Sequence, residues 1–212
     1  MLDGINGLVT ITGVPGGDSV SVIVKARVGS TTLADAQAGL NLLELVLTEN
    51  GSSLTIQTSQ PSNFLDRQYI VDYNITVPSD LPVNVYLENG HVIVNNLENT
   101  TFVVLGNGNV EYNNVSGAST VSIDNGTFNG TISLNPGSET LISTGNGDID
   151  LAIPATTSAE LFLQVGNGTI SKENLDLVNV QSTSKTLQGV LNGGAGLIDL
   201  ETVNGNISIA GI

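Results

Sequence analysis

Apolar residues recur along this chain at two spacings, and the shorter governs the first third. Val20, Val22, Val24, Ala26 and Val28 alternate with Ser19, Ser21, Lys25 and Arg27, the period of two that a half-buried strand requires. Tyr69, Val71, Tyr73, Ile75 and Val77 alternate in the same way until Pro78 ends the run. Leu8 to Thr12 predicts a short strand, with a turn at Gly16-Gly17-Asp18. Leu42 to Thr48 and Leu54 to Thr58 flank Asn50-Gly51, a two-residue hairpin signal. Thr31 or Thr32 can cap a helix over Leu33 to Ala38 that Gly39 closes. Residues 1–79 are therefore expected to form strands, hairpins and one short helix, continuous with the rest of the chain.

From residue 80 to the C-terminus the longer spacing takes over. Asn-Gly pairs recur at Asn89-Gly90, Asn107-Gly108, Asn125-Gly126, Asn146-Gly147, Asn167-Gly168 and Asn204-Gly205, with successive glycines 18, 18, 21, 21 and 37 residues apart. Two residues after each glycine stand Val92, Val110, Phe128, Ile149, Ile170 and Ile207; five before stand Val85, Val103, Val121, Ile142, Leu163 and Leu200. Positions one and three after the glycine are almost all polar, as in Asp148 and Asp150 or Thr169 and Ser171. Two apolar columns in register with a left-handed corner residue predict stacked β coils. The asparagines would form a hydrogen-bonded ladder up the corner, and the intervening residues would face water.

The expected fold is all-β: a right-handed parallel β-helix, a single-stranded β-solenoid of about 18–21 residues per coil, over residues 80–212. Right-handedness is preferred because no six-residue apolar repeat of the left-handed type lies within a coil. The 37-residue gap reads as two coils, one of which lost its Asn-Gly between Asn174 and Gly194. The last coil, finishing at Gly211-Ile212 without a polar cap, is expected to end the stack.

Composition supports this and removes several chemistries. The chain has no Cys, so disulfides, thiolate metal sites and Cys nucleophiles are excluded. Five Lys/Arg against twenty Asp/Glu give a net charge of −15, which repels phosphate backbones and anionic headgroups, so no nucleic-acid partner is expected. No stretch approaches the roughly 20 apolar residues of a membrane span. Residues 1–12 lack the pattern of a signal peptide, and an export signal or anchor is expected to precede them in a longer gene product.

Ile5-Asn6-Gly7-Leu8-Val9-Thr10-Ile11, the Ala34 to Leu47 segment, Tyr73-Asn74-Ile75-Thr76-Val77-Pro78 leading into Leu81-Pro82-Val83, and turns such as Gly145 to Ile149 resemble the "putative adhesin" family of bacteria and archaea. That family has no established biochemical function and is related to auto-transporter adhesin head domains; the resemblance covers nearly the whole chain. It implies a right-handed β-helix at the cell surface or exported, and no catalytic residues to carry over.

Candidate chemistry is sparse. A polysaccharide lyase or hydrolase on the β-helix scaffold is the strongest enzyme alternative, yet the repeats carry only Lys172 and Lys185 to neutralise an acidic sugar. A hydrolase needs two carboxylates at a set separation, for which Asp148 and Asp150, with Asp124 or Asp199 across coils, are the candidates. His91, the one histidine, reads as a surface residue. Gly193-Gly194-Ala195-Gly196-Leu197-Ile198-Asp199 is similar to the calcium nonapeptide of β-rolls with its Asp one position late, so a tight turn is expected, and no cofactor beyond weak calcium binding by the acidic surface. For sugar stacking Tyr86, Tyr112 and Phe102 are the aromatic candidates, with Phe102 and Phe128 expected in the core. Asn-x-Ser/Thr acceptors begin at Asn50, Asn74, Asn99, Asn114, Asn125, Asn129, Asn167 and Asn206, which favours an exported protein. The expected function is a non-catalytic extracellular or cell-surface module that contacts a glycan, an envelope component or a protein through its flat faces. The further alternative is a structural, self-assembling element.

Overall fold

The computed structural model describes residues 1–61 and 67–212. In chain order the strands are β1 (Leu2–Val14) and β2 (Ser21–Gly29), then helix α1 (Leu33–Leu40), then β3 (Glu44–Asn50), β4 (Ser53–Ser59) and β5 (Gln68–Pro78). The repeats follow as β6 (Val83–Asn95), β7 (Thr101–Ser116), β8 (Ser119–Ser133), β9 (Glu139–Asn146), β10 (Ile149–Ile153), β11 (Ala159–Asn167) and β12 (Ile170–Glu173). The chain ends with β13 (Val178–Ser182), β14 (Thr186–Leu191), β15 (Gly196–Asn204) and β16 (Ile207–Gly211). All sixteen belong to one open, mostly parallel sheet whose long path runs from β13 at one edge to β3 at the other.

Each repeat has two arms that meet at its Asn-Gly. The first arm contributes the column Leu2, Val85, Val103, Val121, Ile142, Leu200 and Leu163, and the second contributes Val9, Val92, Val110, Phe128, Ile149, Ile207 and Ile170, in the order in which the strands pair. All are buried except the half-buried Ile170. Further inward columns flank these, such as Leu87, Leu105 and Ile123 three residues before the glycine. Every second side chain of each arm is thus removed from water, and the driving force is the stacking of like on like at a spacing of about 4.8 Å.

The structure departs from the sequence expectations in four places. First, Asn6-Gly7 is a seventh rung: β1 pairs with β6 in the register Asn6↔Asn89 and Gly7↔Gly90, so residues 2–14 lie in the stack itself. Second, β1 and β2 do not form a hairpin; β5 lies between them, parallel to β1 and antiparallel to β2. Burying the Tyr69–Val77 face against the β1 column outweighs the local turn at Gly16. Third, the stretch from 174 to 194 holds no lost coil. Val178–Ser182 and Thr186–Leu191 pair as an antiparallel hairpin that covers β11. Fourth, the last coil does not end the stack. β15 inserts between β9 and β11, and β16 between β10 and β12, so the chain turns back and places its final repeat inside.

Local signals hold more closely. Thr32 caps α1 by accepting from the Asp35 N–H at 3.2 Å, and Gly39 lies inside the last turn rather than after it. The Gly39 site faces Val28 and Arg67 so closely that a Cβ there would meet both at 3.0 Å. β3 and β4 form the predicted hairpin with Asn50 opposite Ser53, so Gly51 and Ser52 occupy the loop, one residue later than expected. Gly51 takes the left-handed conformation, φ +62°.

Candidate functional site

The corner is built from side-chain amides. Asn89 Nδ2 donates to Asn6 Oδ1 at 2.9 Å, Asn107 to Asn89 at 2.9 Å, Asn125 to Asn107 at 3.0 Å, Asn146 to Asn125 at 2.8 Å, Asn204 to Asn146 at 2.8 Å and Asn167 to Asn204 at 2.8 Å. The ladder starts on Tyr69 O, which accepts from Asn6 Nδ2 at 3.3 Å. The glycine after each asparagine is needed because a Cβ at Gly108 or Gly126 would stand 1.7 or 1.6 Å from the carbonyl oxygen of the preceding glycine in the stack. This column is scaffold: its polar atoms are spent on one another.

The next position adds a second set of bonds between repeats. Asp148 Oδ1 accepts from the Asn206 N–H at 2.6 Å and its Nδ2 at 3.1 Å; Asn206 Oδ1 accepts from Thr169 N and Oγ1 at 3.0 and 2.8 Å. Asn109 serves Thr127 likewise. Asp72, paired with Arg27 at 2.5 Å, accepts from the Leu8 N–H at 3.0 Å and so caps the ladder's first rung. Asp148 is therefore engaged in coupling repeats. Asp150 lies exposed beside Asn129 and Ser208, and Asp199 stands on the first arm between Leu141 and Phe162, on a different face from Asp148 and Asp150. Among the described residues no three His, Asp or Glu side chains are grouped to hold a metal ion. Lys172 Nζ donates to Leu175 O at 3.0 Å and Lys185 Nζ to Gly168 O at 3.1 Å, both at the β11–β12 end. His91 is half-buried at the surface, 3.8 Å from Glu111.

The outer face of the first arm differs in kind from that of the second. Six residues before each glycine, the outward column reads Asn84, Phe102, Thr120, Leu141, Asp199 and Phe162 in stacking order; four before, it reads Tyr86, Val104, Ser122, Ser143, Glu201 and Gln164. Tyr86 and Phe102 pack with ring centroids 5.6 Å apart at 49°, and Tyr86 and Phe162 are each 37% exposed. Phe102 and Phe162 lie four strand steps apart, roughly 19 Å at the usual strand spacing. Rings, hydroxyls and two carboxylates thus share a flat surface, while the second arm presents mostly amides and hydroxyls. Burial pushes the Asp199 carboxyl above the usual carboxylate range.

No family model matches the chain, and no curated protein matches it. Among solved structures the chain is similar to a crystal structure of a "putative cell adhesion protein" from Clostridium sporogenes, with 14% identity over 100% of this chain and 92% of that chain and a TM-score of 0.55. At that identity the likeness is one of fold.

Sequence reasoning placed Phe102 in the core, and the structure places it outward. Val103 and Thr101 are the inward residues here, so strict alternation sends Phe102 to solvent, where Tyr86 shields one side of it. Phe128 is fully buried, as expected, in edge-to-face contact with the equally buried Tyr112 at 5.3 Å, which removes Tyr112 from the sugar-stacking candidates. Phe162 escaped notice in the sequence although its position, six before Gly168, is that of Phe102 before Gly108.

Proposed function

We propose that the chain is a non-catalytic, cell-surface or exported binding module of adhesin type, a right-handed parallel β-helix whose first-arm outer face engages an extended glycan. The observation that carries the reading is the outward placement of three rings on one face, Tyr86 and Phe162 exposed and Phe102 half-buried beside Tyr86, at positions where solvent-facing strand residues are ordinarily polar. Aromatic rings offer the apolar faces of sugars a matching plane, and Thr120, Ser122, Ser143 and Gln164 supply hydroxyl and amide partners between them. The fold shared with a protein described as a "putative cell adhesion protein" supports the same reading. With Asp148 bonded to Asn206, the paired carboxylates that a hydrolase would require are not free on the second arm, which favours binding over turnover.

A glycan array on the purified protein, run in calcium and again in chelator, tests this. The expected result is a calcium-independent hit weakened at least about tenfold by Tyr86→Ala or Phe162→Ala, the loss of roughly 1.4 kcal/mol per stacked ring. A hit that both variants leave intact would overturn the assignment to this face, and a calcium-dependent hit would move the site to the acidic positions. Product release from pectin or alginate would replace binding with catalysis.

A further inference from the structure

The Asn-Gly dipeptide is the one in which a backbone amide most readily attacks the preceding side chain, because glycine's missing Cβ leaves the approach open. This chain stacks seven such pairs, most of them at exposed positions, so solvent access separates the rungs poorly. What separates them is the partner of the attacking nitrogen. Gly147 N donates to Asn204 O at 2.8 Å, and Gly205 N donates to Asn167 O at 2.8 Å: each glycine amide is held by the repeat beyond it. Gly7, Gly90, Gly108 and Gly126 stand in the same register inside paired strands. Gly168 belongs to the outermost repeat. The covering hairpin follows β11 only as far as Val165, whose N–H donates to Lys185 O at 2.9 Å, and the described residues place no acceptor against the Gly168 N–H. The corner is held through other atoms: Gly168 O accepts from Lys185 Nζ at 3.1 Å, Asn167 O accepts from Gly205 N, Asn167 Nδ2 donates to Asn204, and Thr169 bonds to Asn206, none of which engages the Gly168 N–H.

We propose that Asn167 is a self-modification site, the one rung of the ladder that converts spontaneously to aspartate and isoaspartate. Gly168 N attacks Asn167 Cγ and closes a five-membered succinimide. The Cγ–Nδ2 bond breaks, and Nδ2 departs as ammonia with the Gly168 amide proton. Water then adds to either ring carbonyl and opens the ring. The product replaces the Nδ2 donor to Asn204 Oδ1 with a carboxylate oxygen, so the outermost repeat loses its ladder bond and gains a repulsive contact. Inner rungs require the separation of two paired repeats before the same attack can occur, whereas an end rung requires only local fraying. Asn50-Gly51, exposed where β3 enters its hairpin loop and outside the ladder, provides an internal standard. Asn192-Gly193 is restrained differently, since Asn192 Nδ2 donates to both Ala155 O and Thr157 O at 3.0 and 2.9 Å.

The test is to age the intact chain at mildly alkaline pH and 37 °C and map the peptides by mass spectrometry with isoaspartate detection. The expected result is product at Asn50 and Asn167, with Asn167 at least about tenfold faster than Asn89, Asn107, Asn125 or Asn146. A rate at Asn167 equal to theirs would overturn the proposal. Lys185→Met frees the Gly168 carbonyl and is expected to accelerate Asn167 alone. Equal acceleration at Asn146 would mean opening of the whole stack rather than of its end, and would also overturn it.

Discussion

Replacing Gly126 by alanine tests the corner most severely. The residue sits at φ +146°, and an added Cβ would lie 1.6 Å from Gly108 O and 2.6 Å from Gly108 C, where an ordinary contact begins at 3.4 Å. No side-chain rotation relieves this, because both atoms belong to backbone. β7 and β8 would have to separate by nearly 2 Å at their shared corner. The left-handed backbone alone costs about 1–2 kcal/mol in a residue with a Cβ. Separation also breaks the Asn125–Asn107 bond and at least one inter-strand backbone bond, each worth about 1 kcal/mol net. The sum, with looser packing along the neighbouring apolar columns, is about 4–5 kcal/mol, at the upper end for a single substitution. Gly51→Ala is the matched control: φ is +62° and nothing lies within 4 Å of the added Cβ, so only the backbone cost of about 1–2 kcal/mol applies. Urea unfolding followed by circular dichroism measures both. In thermal melts a chain of this size shifts by about 2–4 °C per kcal/mol, so Gly126→Ala should lose roughly 10 °C or more and Gly51→Ala a few degrees. Equal losses would refute the claim that close backbone approach, rather than glycine's left-handed φ alone, fixes this residue type.

Other substitutions probe separate parts of the stack. Asn125→Ala removes two ladder bonds and Asn167→Ala one, so the inner variant should lose about 1–2 kcal/mol in urea melts and the outer about half of that, whereas equal losses would argue against bond-by-bond additivity. Thr202→Val takes away a buried hydroxyl that lies 2.8 Å from Thr144 Oγ1 and 2.9 Å from Gly147 O; it should cost about 1–2 kcal/mol, read by the same unfolding assay, since Thr144 still reaches that carbonyl. Asp199 has a folded-state pKa raised by burial, so the folded state gains relative stability below the unfolded pKa and loses it as pH rises through the folded value. Asp199→Asn should therefore stabilise slightly at neutral pH and leave acid stability unchanged, checked by melts at the two pH values. Asp35 shows the opposite sign: hydrogen bonds from Arg67 and Ser30 hold its carboxyl well below the usual range, so its contribution is present above the unfolded pKa and lost as pH falls. Asp35→Asn should remove that acid-side dependence in a pH series of melts.

Much of the stack is legible in the residues alone, because a repeat that buries every second side chain must write its period into the chain. Val92 to Ile207 and Val85 to Leu200 declare two inward columns, and Asn-Gly declares the corner, since only glycine tolerates a carbonyl pressed against its Cα. The columns also show which residues face outward, so Tyr86, Phe102 and Phe162 are readable as a surface set by position relative to the glycine; treating an aromatic as core by type hides Phe102, and Phe162 stands out only when the column is followed to Gly168. Stacking order is another matter. Both orders of the last repeats satisfy the Asn-Gly spacing equally, and the tertiary pairing chooses. Inserting β15–β16 sets Thr202 against Thr144, two hydroxyls that share the Gly147 carbonyl, where direct docking of β11 on β9 would set Thr144 against Val165. It also leaves Lys172, four residues after its glycine in a column otherwise filled by Ile11, Val94, Tyr112, Gly130, Leu151 and Ile209, at the open end, where an ammonium stays solvated. Period is a property of one strand and its own side chains; order depends on which polar atoms meet across two strands, and that is decided only when the repeats pack.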